Sequence, residues 1–501
     1  MANRSDTGET SPHDDAPTVA SLSVWDMASL IIGIVVGTAI FRASPTVFGQ
    51  FSSSWQGIAV WGLGGLLAFS GALCYSELTS TYTGFGAEYV FLTHAYGRRM
   101  GFLFAWMQSC IIVPGSIGAM SFVFVDYFDR IIPIGPQWKV VGALAAVFCL
   151  MCLQVAGLRI GKFVLNLLTA LKILALLLLI GIGLFGPRMA ADSVDQNKPS
   201  ELLVTEAETS EASNKADADQ SGDESTPGGS FSLALILVMF AFAGWNDATT
   251  VAPEVQEPQT NVPRALLLGL GFVALLYLAV NAVYVHVLGL EGLQSSEAPA
   301  ADVMSVCLGP RFAWGMSVAV MISALGAIHG TIFAGARLLN AVGRDYPAFS
   351  FWKQWNARGA PVWALMTLVA LSTIVTLLAG TEWGLSCLAQ IPKAFGVMSN
   401  ESFNADQGFD LLVSTASPVF FFFFMMTGLA LIILRYRDPG RHRPFKVPGY
   451  PVTPIVLAGI AGFMCYGGLM YVKVLMLISV PPLIIGIILS FVLKPAVVDR
   501  T

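Results

Sequence analysis

Two short stretches of small and polar residues interrupt apolar segments of this chain, and their residue types suit the binding of a small ligand. The first is Gly-Thr-Ala at 37–39, inside an apolar run from 31 to 41, and the second is Ala-Gly-Trp-Asn at 243–246. Backbone that leaves helical pairing inside a bilayer is tolerated only where protein or a water-filled cavity covers it. Paired breaks in two halves of a chain indicate the substrate site of a transporter. Close packing of helices through small residues is the alternative.

The backbone at such breaks predicts the chemistry of the ligand. N–H groups at the start of a half-helix attract a carboxylate, and carbonyl groups at the end of the preceding half-helix attract an ammonium group. An α-amino acid carries both. We expect the N–H groups of Thr38, Ala39 and Ile40, beside Gly37, to bind the carboxylate. The carbonyl groups expected to bind the amino group come from both breaks and belong to Ile32, Gly33, Phe240, Ala241 and Ala243.

Three side chains at the second break are candidates for contact with the ligand. Phe240 and Trp245 flank the break, where an aromatic ring could close over a bound molecule as a gate; packing of the helix is the alternative for both. Asn246 is an amide in a membrane segment and needs partners, so it could bridge the broken helix to a neighbour. Asp247 either faces water at the break or caps the half-helix that follows.

Two ionisable residues are candidates for coupling and gating. Lys172 lies within the apolar run from 168 to 180, and an ionisable group at that depth is a functional candidate by default. Because burial penalises its charged form, it could bind and release a proton; extension of the side chain to the membrane surface is the alternative. Glu77 lies near the end of the second apolar stretch and is expected to pair with a basic loop residue and latch a gate.

The composition predicts an all-α polytopic membrane protein. Apolar residues make up 55% of the 501 positions and charged residues only 12%, about half the charged fraction of a soluble domain. The polar first 25 residues carry no cleavable signal peptide, so the first helix is expected to act as its own insertion signal. Twelve stretches are long enough to cross a bilayer, beginning near Met27, Trp55, Met100, Trp138, Phe163, Phe231, Ala265, Val303, Val362, Leu411, Pro454 and Val472.

The loops predict the orientation. Lys and Arg fall in alternate loops, for example at Arg98, Arg159, Arg264, Arg344 and Arg441, and such residues accumulate on the cytoplasmic side. Both termini are therefore expected in the cytoplasm, with the chain in a cell (inner or plasma) membrane. Residues 186–230 carry ten Asp and Glu against three Lys and Arg and are expected to form a disordered external loop; a cation-collecting antenna is the alternative.

Nothing in the sequence indicates catalysis. The seven cysteines are scattered; Cys149 and Cys152 form a C-x-x-C within an apolar stretch that has no His or carboxylate nearby, so a metal or redox role is not expected, and no metal cluster, phosphate-binding loop or activated nucleophile stands out. We therefore expect no enzymatic activity, no cofactor, no metal site and no nucleic-acid partner. Cys307 and Cys387 both fall near the predicted external face, and whether they pair stays open because spacing alone does not decide it.

Several longer motifs give the chain a family resemblance. They are G-I-V-V-G-T-A-I-F from residue 33, Y-S-E-L-T-S-T-Y-T-G-F-G-A-E-Y-V from 75, F-A-F-A-G-W-N-D from 240, S-A-L-G-A-I-H-G-T-I-F-A-G-A-R from 323 and R-P-F-K-V-P-G-Y-P-V-T-P from 443. Taken together, they resemble the amino acid–polyamine–organocation superfamily, closest to its L-type amino acid transporter branch. The resemblance implies twelve transmembrane helices in a five-plus-five inverted repeat with discontinuous helices 1 and 6.

The implied domains follow from that repeat. Residues 1–25 are a cytoplasmic tail, 26–185 the first repeat, 186–230 the acidic loop, 231–436 the second repeat, 437–495 two added helices and 496–501 a second cytoplasmic tail.

The resemblance also implies roles for individual residues. Gly37, Thr38 and Ala39 match the family's carboxylate-binding turn, Phe240 its gating aromatic and Asn246 its sixth-helix amide. Lys172 matches the lysine that occupies a sodium-site position in proton-dependent members, and the repeat would place it beside Gly33 and Ser323. Members with a covalent heavy chain carry a cysteine in the loop after the third span; the corresponding loop, residues 126–138, has none, so no such partner is expected.

The function predicted is that of a secondary active permease for neutral amino acids, working by alternating access with proton coupling or exchange. A polyamine or cationic amino acid transporter is the alternative; it would need a carboxylate facing the central site, and only Asp247 is close enough to be considered. A membrane receptor that transports nothing is a more distant alternative.

Overall fold

A computed structural model describes residues 22–187, 231–296, 298–394, 408–472 and 475–495. Helices make up nearly all of this part of the chain, as predicted. The predicted N-terminal tail apart from residues 22–25, the acidic insertion apart from residues 186–187, and the whole C-terminal tail lie outside the described residues. The division into six domains stays a prediction.

The first half of the chain contains eight helices. A helix pair bent by 51° comes first, and it forms the predicted broken first span. The helices are α1 (Val24–Val35), α2 (Ala39–Phe48), α3 (Ser54–Thr81), α4 (Glu88–Tyr96), α5 (Arg98–Met107), α6 (Val113–Asp129), α7 (Pro136–Val155) and α8 (Leu158–Phe185). A π-helical turn, Gln108–Ile112, joins α5 to α6 so that they form one span.

The second half begins with another broken span. It consists of α9 (Phe231–Ala241) and a 3-10 segment, Trp245–Glu254. The helices that follow are α10 (Pro258–Gln294), α11 (Pro299–Leu308), α12 (Ala313–Asp345), α13 (Val362–Gly380), α14 (Glu382–Leu388), α15 (Gln390–Ala394), α16 (Gly408–Arg437), α17 (Val452–Val472) and α18 (Val480–Val492).

The predicted polytopic fold is confirmed. Among the described residues, ten helical segments are long and apolar enough to cross a membrane, and the bent pair α1 and α2 adds an eleventh span. The predicted twelfth stretch is a shorter apolar segment, Met476–Val492. The predicted start of the eighth span near Val303 is wrong by about ten residues, because Gly309, at φ +97°, and the proline after it end α11 and let α12 begin at Ala313.

Local sequence signals explain where the first span begins. Ser23 precedes α1, and its hydroxyl accepts a hydrogen bond from the backbone N–H of Asp26 at 3.2 Å, while the Asp26 carboxylate accepts one from the backbone N–H of Ser23 at 2.9 Å. This capping box satisfies N–H groups that the first helical turn leaves without partners. α1 then packs against α8, α10 and α12, which places the first break in the middle of the bundle.

Glycines let the two broken spans approach their neighbours. A Cβ atom on Gly64 of α3 would overlap the Val238 side chain of α9, and one on Gly71 would lie 2.7 Å from the Trp245 indole. On α12, a Cβ atom on Gly330 would lie 2.8 Å from Ile34 of α1. Close backbone approach through small residues is how membrane helices associate without a hydrophobic driving force between them.

Candidate functional site

The first break leaves helix-end backbone groups in the middle of the bundle. α1 ends at Val35, the N–H of Gly37 donates to the Val35 carbonyl at 2.7 Å, and the N–H of Phe41 donates to the Thr38 carbonyl at 3.0 Å. Ala39 and Ile40 occupy the first turn of α2, so their N–H groups have no acceptor within that helix. The break therefore presents two of the three predicted backbone donors, those of Ala39 and Ile40, at the start of a half-helix.

There is room for a Cβ atom at Gly37. Apart from its neighbours in the chain, such an atom would meet only ordinary van der Waals contacts, with the Val35 carbonyl oxygen at 3.8 Å and the sulfur of Met120 at 4.0 Å. The Thr38 hydroxyl lies 3.8 Å from the same sulfur atom, a weak acceptor. Packing within the protein thus does not require glycine at residue 37, but approach of a ligand to the backbone would.

The second break lies against the first. Gly244 has φ +98°, a left-handed conformation that favours glycine, and it separates α9 from the 3-10 segment. A Cβ atom there would come within 2.8 Å of the Ile34 side chain on α1. The predicted partners Ala39, Phe240 and Ala243 are only partly buried, whereas Thr38 and Ile40 are buried.

A tyrosine that the sequence analysis missed joins the two breaks. The hydroxyl of Tyr277 on α10 lies 2.9 Å from the carbonyl oxygen of Val35 and 3.4 Å from that of Ala241. These oxygens belong to the last residues of α1 and α9. Tyr277 lies 242 residues beyond Val35 in the sequence, and its only sequence signal is a hydroxyl within an apolar helix.

Lys172 occupies the position that the resemblance implied. Its ammonium group donates to the carbonyl oxygens of Gly33 at 2.7 Å, Val36 at 2.8 Å and Ser323 at 3.1 Å. The side chain is 1% exposed, so it does not extend to the membrane surface. The Ser323 hydroxyl donates to the Val36 carbonyl at 2.9 Å and contacts that of Gly37 at 3.1 Å. Lys172 and Ser323 thus hold α8 and α12 against the first break.

Four of the five carbonyl groups expected to bind an amino group already have partners. Ile32 accepts from the N–H of Val36, Phe240 from that of Ala243, and Gly33 and Ala241 accept from Lys172 and Tyr277. A carbonyl oxygen has two lone pairs and can accept a second hydrogen bond. Binding of an amino group by these carbonyls therefore stays a prediction.

The two aromatic candidates have different surroundings. Trp245 is buried, with its ring centroid 4.8 Å from that of Tyr75 and 5.8 Å from that of Phe424. Phe240 is only partly buried, at the last turn of α9. The packing alternative thus fits Trp245 better than Phe240, and the gating role of Phe240 stays a prediction.

Asn246 bridges the broken helix to a neighbour, as expected of a buried amide. Its Nδ2 atom donates to Glu88 of α4 at 3.2 Å, and the Tyr75 hydroxyl of α3 donates to the same carboxylate. Asp247 accepts a hydrogen bond from Gln108 of the π-helical turn at 3.0 Å. The 3-10 segment is therefore tied by side chains to α3, α4 and the third span.

Several contacts close one end of the bundle. This end consists of α4, the start of α1, the end of the 3-10 segment and the loop after α16, and we call it the arginine-rich end. The backbone of Leu22 pairs with that of Glu254 and Gln256 at 3.0 and 2.9 Å. Arg337 forms an ion pair with Glu254 at 2.9 Å, and both side chains are 2% exposed. Lys162 contacts Asp26 at 2.6 Å.

Glu77 forms the basic contacts predicted for it at that end. Its carboxylate accepts from Arg435 of α16 at 2.7 Å, lies 3.3 Å from Arg443, and accepts from the backbone N–H of Val447 at 2.7 Å. The contacts join α3 to the end of α16 and the loop before α17. Whether they act as a gate stays a prediction. No bond joins Cys307 to Cys387 in the structure.

In the described part of the chain, the apolar spans, the two adjacent helix breaks and a buried lysine on the carbonyl groups of the first break are the features of a polytopic membrane transporter. The model of the amino acid permease family matches residues 22–493. The chain therefore belongs to that family, within the superfamily that the motifs indicated, and it is a transporter rather than an enzyme.

Named relatives agree with this assignment. The chain is 28% identical to the Asc-type amino acid transporter 1 of Mus musculus over 426 residues, 84% of this chain and 71% of that protein. It is 27% identical to the b(0,+)-type amino acid transporter 1 of Homo sapiens over 441 residues, covering 87% and 80%. It is 24% identical to the serine/threonine exchanger SteT of Bacillus subtilis (strain 168) over 442 residues, covering 87% of each. These relatives confirm the resemblance to the L-type branch.

Proposed function

We propose that this permease moves neutral amino acids across a cell membrane by alternating access, with the substrate bound between the two helix breaks. The carboxylate binds the N–H groups of Ala39 and Ile40 and the Thr38 hydroxyl. The amino group binds carbonyl groups at the ends of α1 and α9. The observation that supports this most strongly is the exposed helix end beside Gly37, where backbone donors have no acceptor within their helix and no protein atom outside the neighbouring residues crowds the glycine.

We also propose that the arginine-rich end faces the cytoplasm, with both termini on that side of an inner or plasma membrane. Arg435, Arg437, Arg441 and Arg443 lie at that end, in agreement with the positive-inside rule. The backbone pairing of Leu22 and the ion pair of Arg337 close this end. The half-buried residues at the breaks are thus separated from the cytoplasm by these contacts.

Coupling is proposed to pass through Lys172. Its ammonium group fills a site formed by three carbonyl oxygens, one of them on α12 and two at the end of the first half-helix. When the half-helix moves, the charged group would lose these acceptors. Proton coupling and exchange against a second amino acid both fit this arrangement.

The cationic alternative has weaker support. It would place the Asp247 carboxylate against a positively charged ligand, but that carboxylate accepts a hydrogen bond from Gln108 on the neighbouring span. The first break contains no Asp or Glu. A net-neutral zwitterion, bound by backbone dipoles, fits the site better.

The variant Gly37→Val tests the proposed site. Its branched side chain would enter the space beside the break, where only the Val35 and Ile34 carbonyls and Met120 lie within 4.0 Å. We expect it to insert and fold but to lose binding of a labelled neutral amino acid in proteoliposomes. Gly181→Val is the matched control, because a Cβ atom on Gly181 of α8 meets nothing within 4 Å.

The two variants separate the possible results. Loss of counterflow in Gly37→Val, with wild-type counterflow in Gly181→Val and similar expression of both, supports the site. Retained uptake of any amino acid by Gly37→Val at the wild-type rate removes this site from consideration.

A further inference from the structure

A buried carboxylate at the arginine-rich end takes no part in the proposed substrate site. Glu88, the first residue of α4, is 3% exposed. Its Oε1 atom accepts from the Tyr75 hydroxyl of α3, and its Oε2 atom accepts from Nδ2 of Asn246 at 3.2 Å. Glu88 therefore connects a loop helix to the first residues after the second break.

A second carboxylate lies beside it. Asp247 follows Asn246 in the 3-10 segment, interacts electrostatically with Glu88, and accepts from Gln108 at 3.0 Å. Gln108 belongs to the π-helical turn of the third span, and such turns are frequent at functional sites. The turn directs the amide of Gln108 towards Asp247.

Among the residues that the structure describes, no Lys or Arg compensates the charge of the two carboxylates. In the described part of the chain, neither Glu88 nor Asp247 forms an ion pair with a Lys or Arg, and the described His, Cys, Asp and Glu residues form no cluster of three that could hold a metal ion. Two like charges in a buried site raise each other's energy, so at most one carboxylate of such a pair ionises readily.

Charged groups on the packed elements are engaged elsewhere. Arg337 of α12 pairs with Glu254, and Arg435 of α16 pairs with Glu77. Arg437 donates to the carbonyl of Ala95 at the other end of α4.

The remaining titratable groups near these elements are also occupied. The Tyr89 hydroxyl donates to Asp345 at 2.6 Å, and a ring nitrogen of His94 lies 2.8 Å from the Val90 carbonyl. Tyr75 is the titratable side chain in direct contact with Glu88.

The cluster also contains a buried hydrogen-bond acceptor without a donor. Asn246 is 1% exposed, and its Oδ1 atom has no hydrogen-bond partner among the described residues. A buried acceptor without a donor is costly, and an ionised carboxylate offers no donor. With the Asn246 side-chain amide rotated by 180°, its oxygen would face Glu88, and a protonated carboxyl group there would supply the missing donor.

We propose that Glu88 and Asp247 together bind one proton when the arginine-rich end is closed, at a site separate from Lys172. The proton gives the cluster the donor that it lacks and removes one of the two uncompensated charges. The site is formed by α4, the third span and the 3-10 segment of the sixth. This proposal rests on the proposed function, alternating access, and adds to it that the 3-10 segment moves as the transporter opens.

The expected pH dependence follows from Glu88. Burial raises its pKa from 4.5 to about 7, although hydrogen bonds from Tyr75 and Asn246 act in the opposite direction. The folded protein in this state therefore binds the proton more tightly than the unfolded chain. The proton site stabilises the folded protein at low pH, and this stabilisation is lost as the pH rises from about 4.5 to about 7. Over that range the unfolding constant rises by at most about tenfold per pH unit.

The test compares melting temperatures of the purified full-length protein between pH 5 and pH 8. Glu88→Gln keeps the shape of the side chain and carries an N–H donor at every pH. We expect it to become progressively more stable relative to wild type as the pH rises. Glu382→Gln is the matched control, because Glu382 is exposed at the start of α14, and its melting curve should run parallel to that of wild type.

Three results would overturn the proposal. One is a difference between Glu88→Gln and wild type that does not change with pH. If Glu88→Gln fails to fold, the melting temperature of Asp247→Asn is measured against pH instead. A profile parallel to that of wild type overturns the proposal, and a flatter profile supports it. The third is stabilisation of wild type at pH 8 by sodium chloride over choline chloride that is absent in Glu88→Gln, which would assign a metal cation instead.

A transport assay keeps this proposal distinct from the proposed function. Counterflow of a labelled neutral amino acid by wild type is measured on the same preparation. Its absence would count against amino-acid transport while the melting temperatures still report on the proton site. Counterflow by wild type together with parallel melting profiles would refute the proton site alone.

Discussion

Replacing Lys172 with alanine should destabilise the transporter as well as change its coupling. The substitution removes a buried donor that serves the carbonyl oxygens of Gly33, Val36 and Ser323 at 2.7, 2.8 and 3.1 Å. A buried acceptor left without a donor costs about 1–3 kcal/mol. Three such acceptors would cost more than that, but loss of a buried charge returns part of the energy. We therefore expect a net loss of about 2–4 kcal/mol.

The shape of the site supports a value within that range. A Cβ atom on Gly326 would come within 2.8 Å of both Cε and Nζ of Lys172, so the site closes tightly around the ammonium group. Ser323 keeps its own hydrogen bond to the Val36 carbonyl at 2.9 Å, which leaves that oxygen one remaining donor. The loss of stability should thus come mainly from the carbonyl groups of Gly33 and Ser323.

The assay is thermal unfolding in detergent, followed by uptake in proteoliposomes. Lys139→Ala is the matched control, since Lys139 forms a partly exposed pair with Asp126 at 3.1 Å, and such pairs contribute about 0–1 kcal/mol. If Lys172 carries the coupling proton, wild-type uptake should need no sodium and should rise as external pH falls. The Lys172→Ala variant should lose that pH dependence.

Two results would refute this reasoning. Equal melting temperatures for Lys172→Ala and Lys139→Ala would mean that the three hydrogen bonds contribute no stability. Strict sodium dependence of wild type, or an unchanged pH profile in Lys172→Ala, would exclude proton coupling through Lys172. Uptake that requires internal amino acid at every pH would identify obligatory exchange instead.

Two further predictions concern Phe240 at the second break and the ion pair of Arg337 with Glu254 at the arginine-rich end. Phe240→Ala should slow transport more than it weakens binding, because it removes an aromatic lid but leaves the backbone donors; equal transport rates in wild type and variant would show that Phe240 only packs. Arg337→Met should leave Glu254 buried without its partner and cost about 3–5 kcal/mol, and adding Glu254→Gln should recover part of that loss in thermal unfolding. A double variant no more stable than Arg337→Met would contradict the assigned pair.

The sequence predicted the breaks because their signal is local. Glycine and small polar residues at 37–39 and 243–246 interrupt apolar runs, and the structure has a helix end at both places. The contacts that join the breaks were not predictable in the same way. Tyr277 reaches Val35 across 242 residues, and Arg337 reaches Glu254 across 83, so their pairing depends on how the helices pack.

The sixth span shows where a local pattern was ambiguous. Phe240 and Trp245 are both aromatic residues beside the second break, so the sequence did not distinguish them. In the structure, Trp245 packs on Gly71 and Tyr75 and is buried, whereas Phe240 is only partly buried. For Lys172, the family resemblance supplied information that the apolar pattern did not contain. Depth in an apolar run does not distinguish a buried ammonium group from one that reaches the membrane surface. Its carbonyl partners were expected only from the inverted repeat.

Amino-acid transport by this permease is tested most directly by counterflow with the purified wild-type protein. Proteoliposomes are loaded in turn with unlabelled neutral amino acids, cationic amino acids and putrescine, and each is tested against its labelled form outside. We predict transient accumulation of at least one neutral amino acid well above the level in protein-free vesicles. Counterflow of putrescine or cationic amino acids alone, or of no compound in the panel, would contradict it.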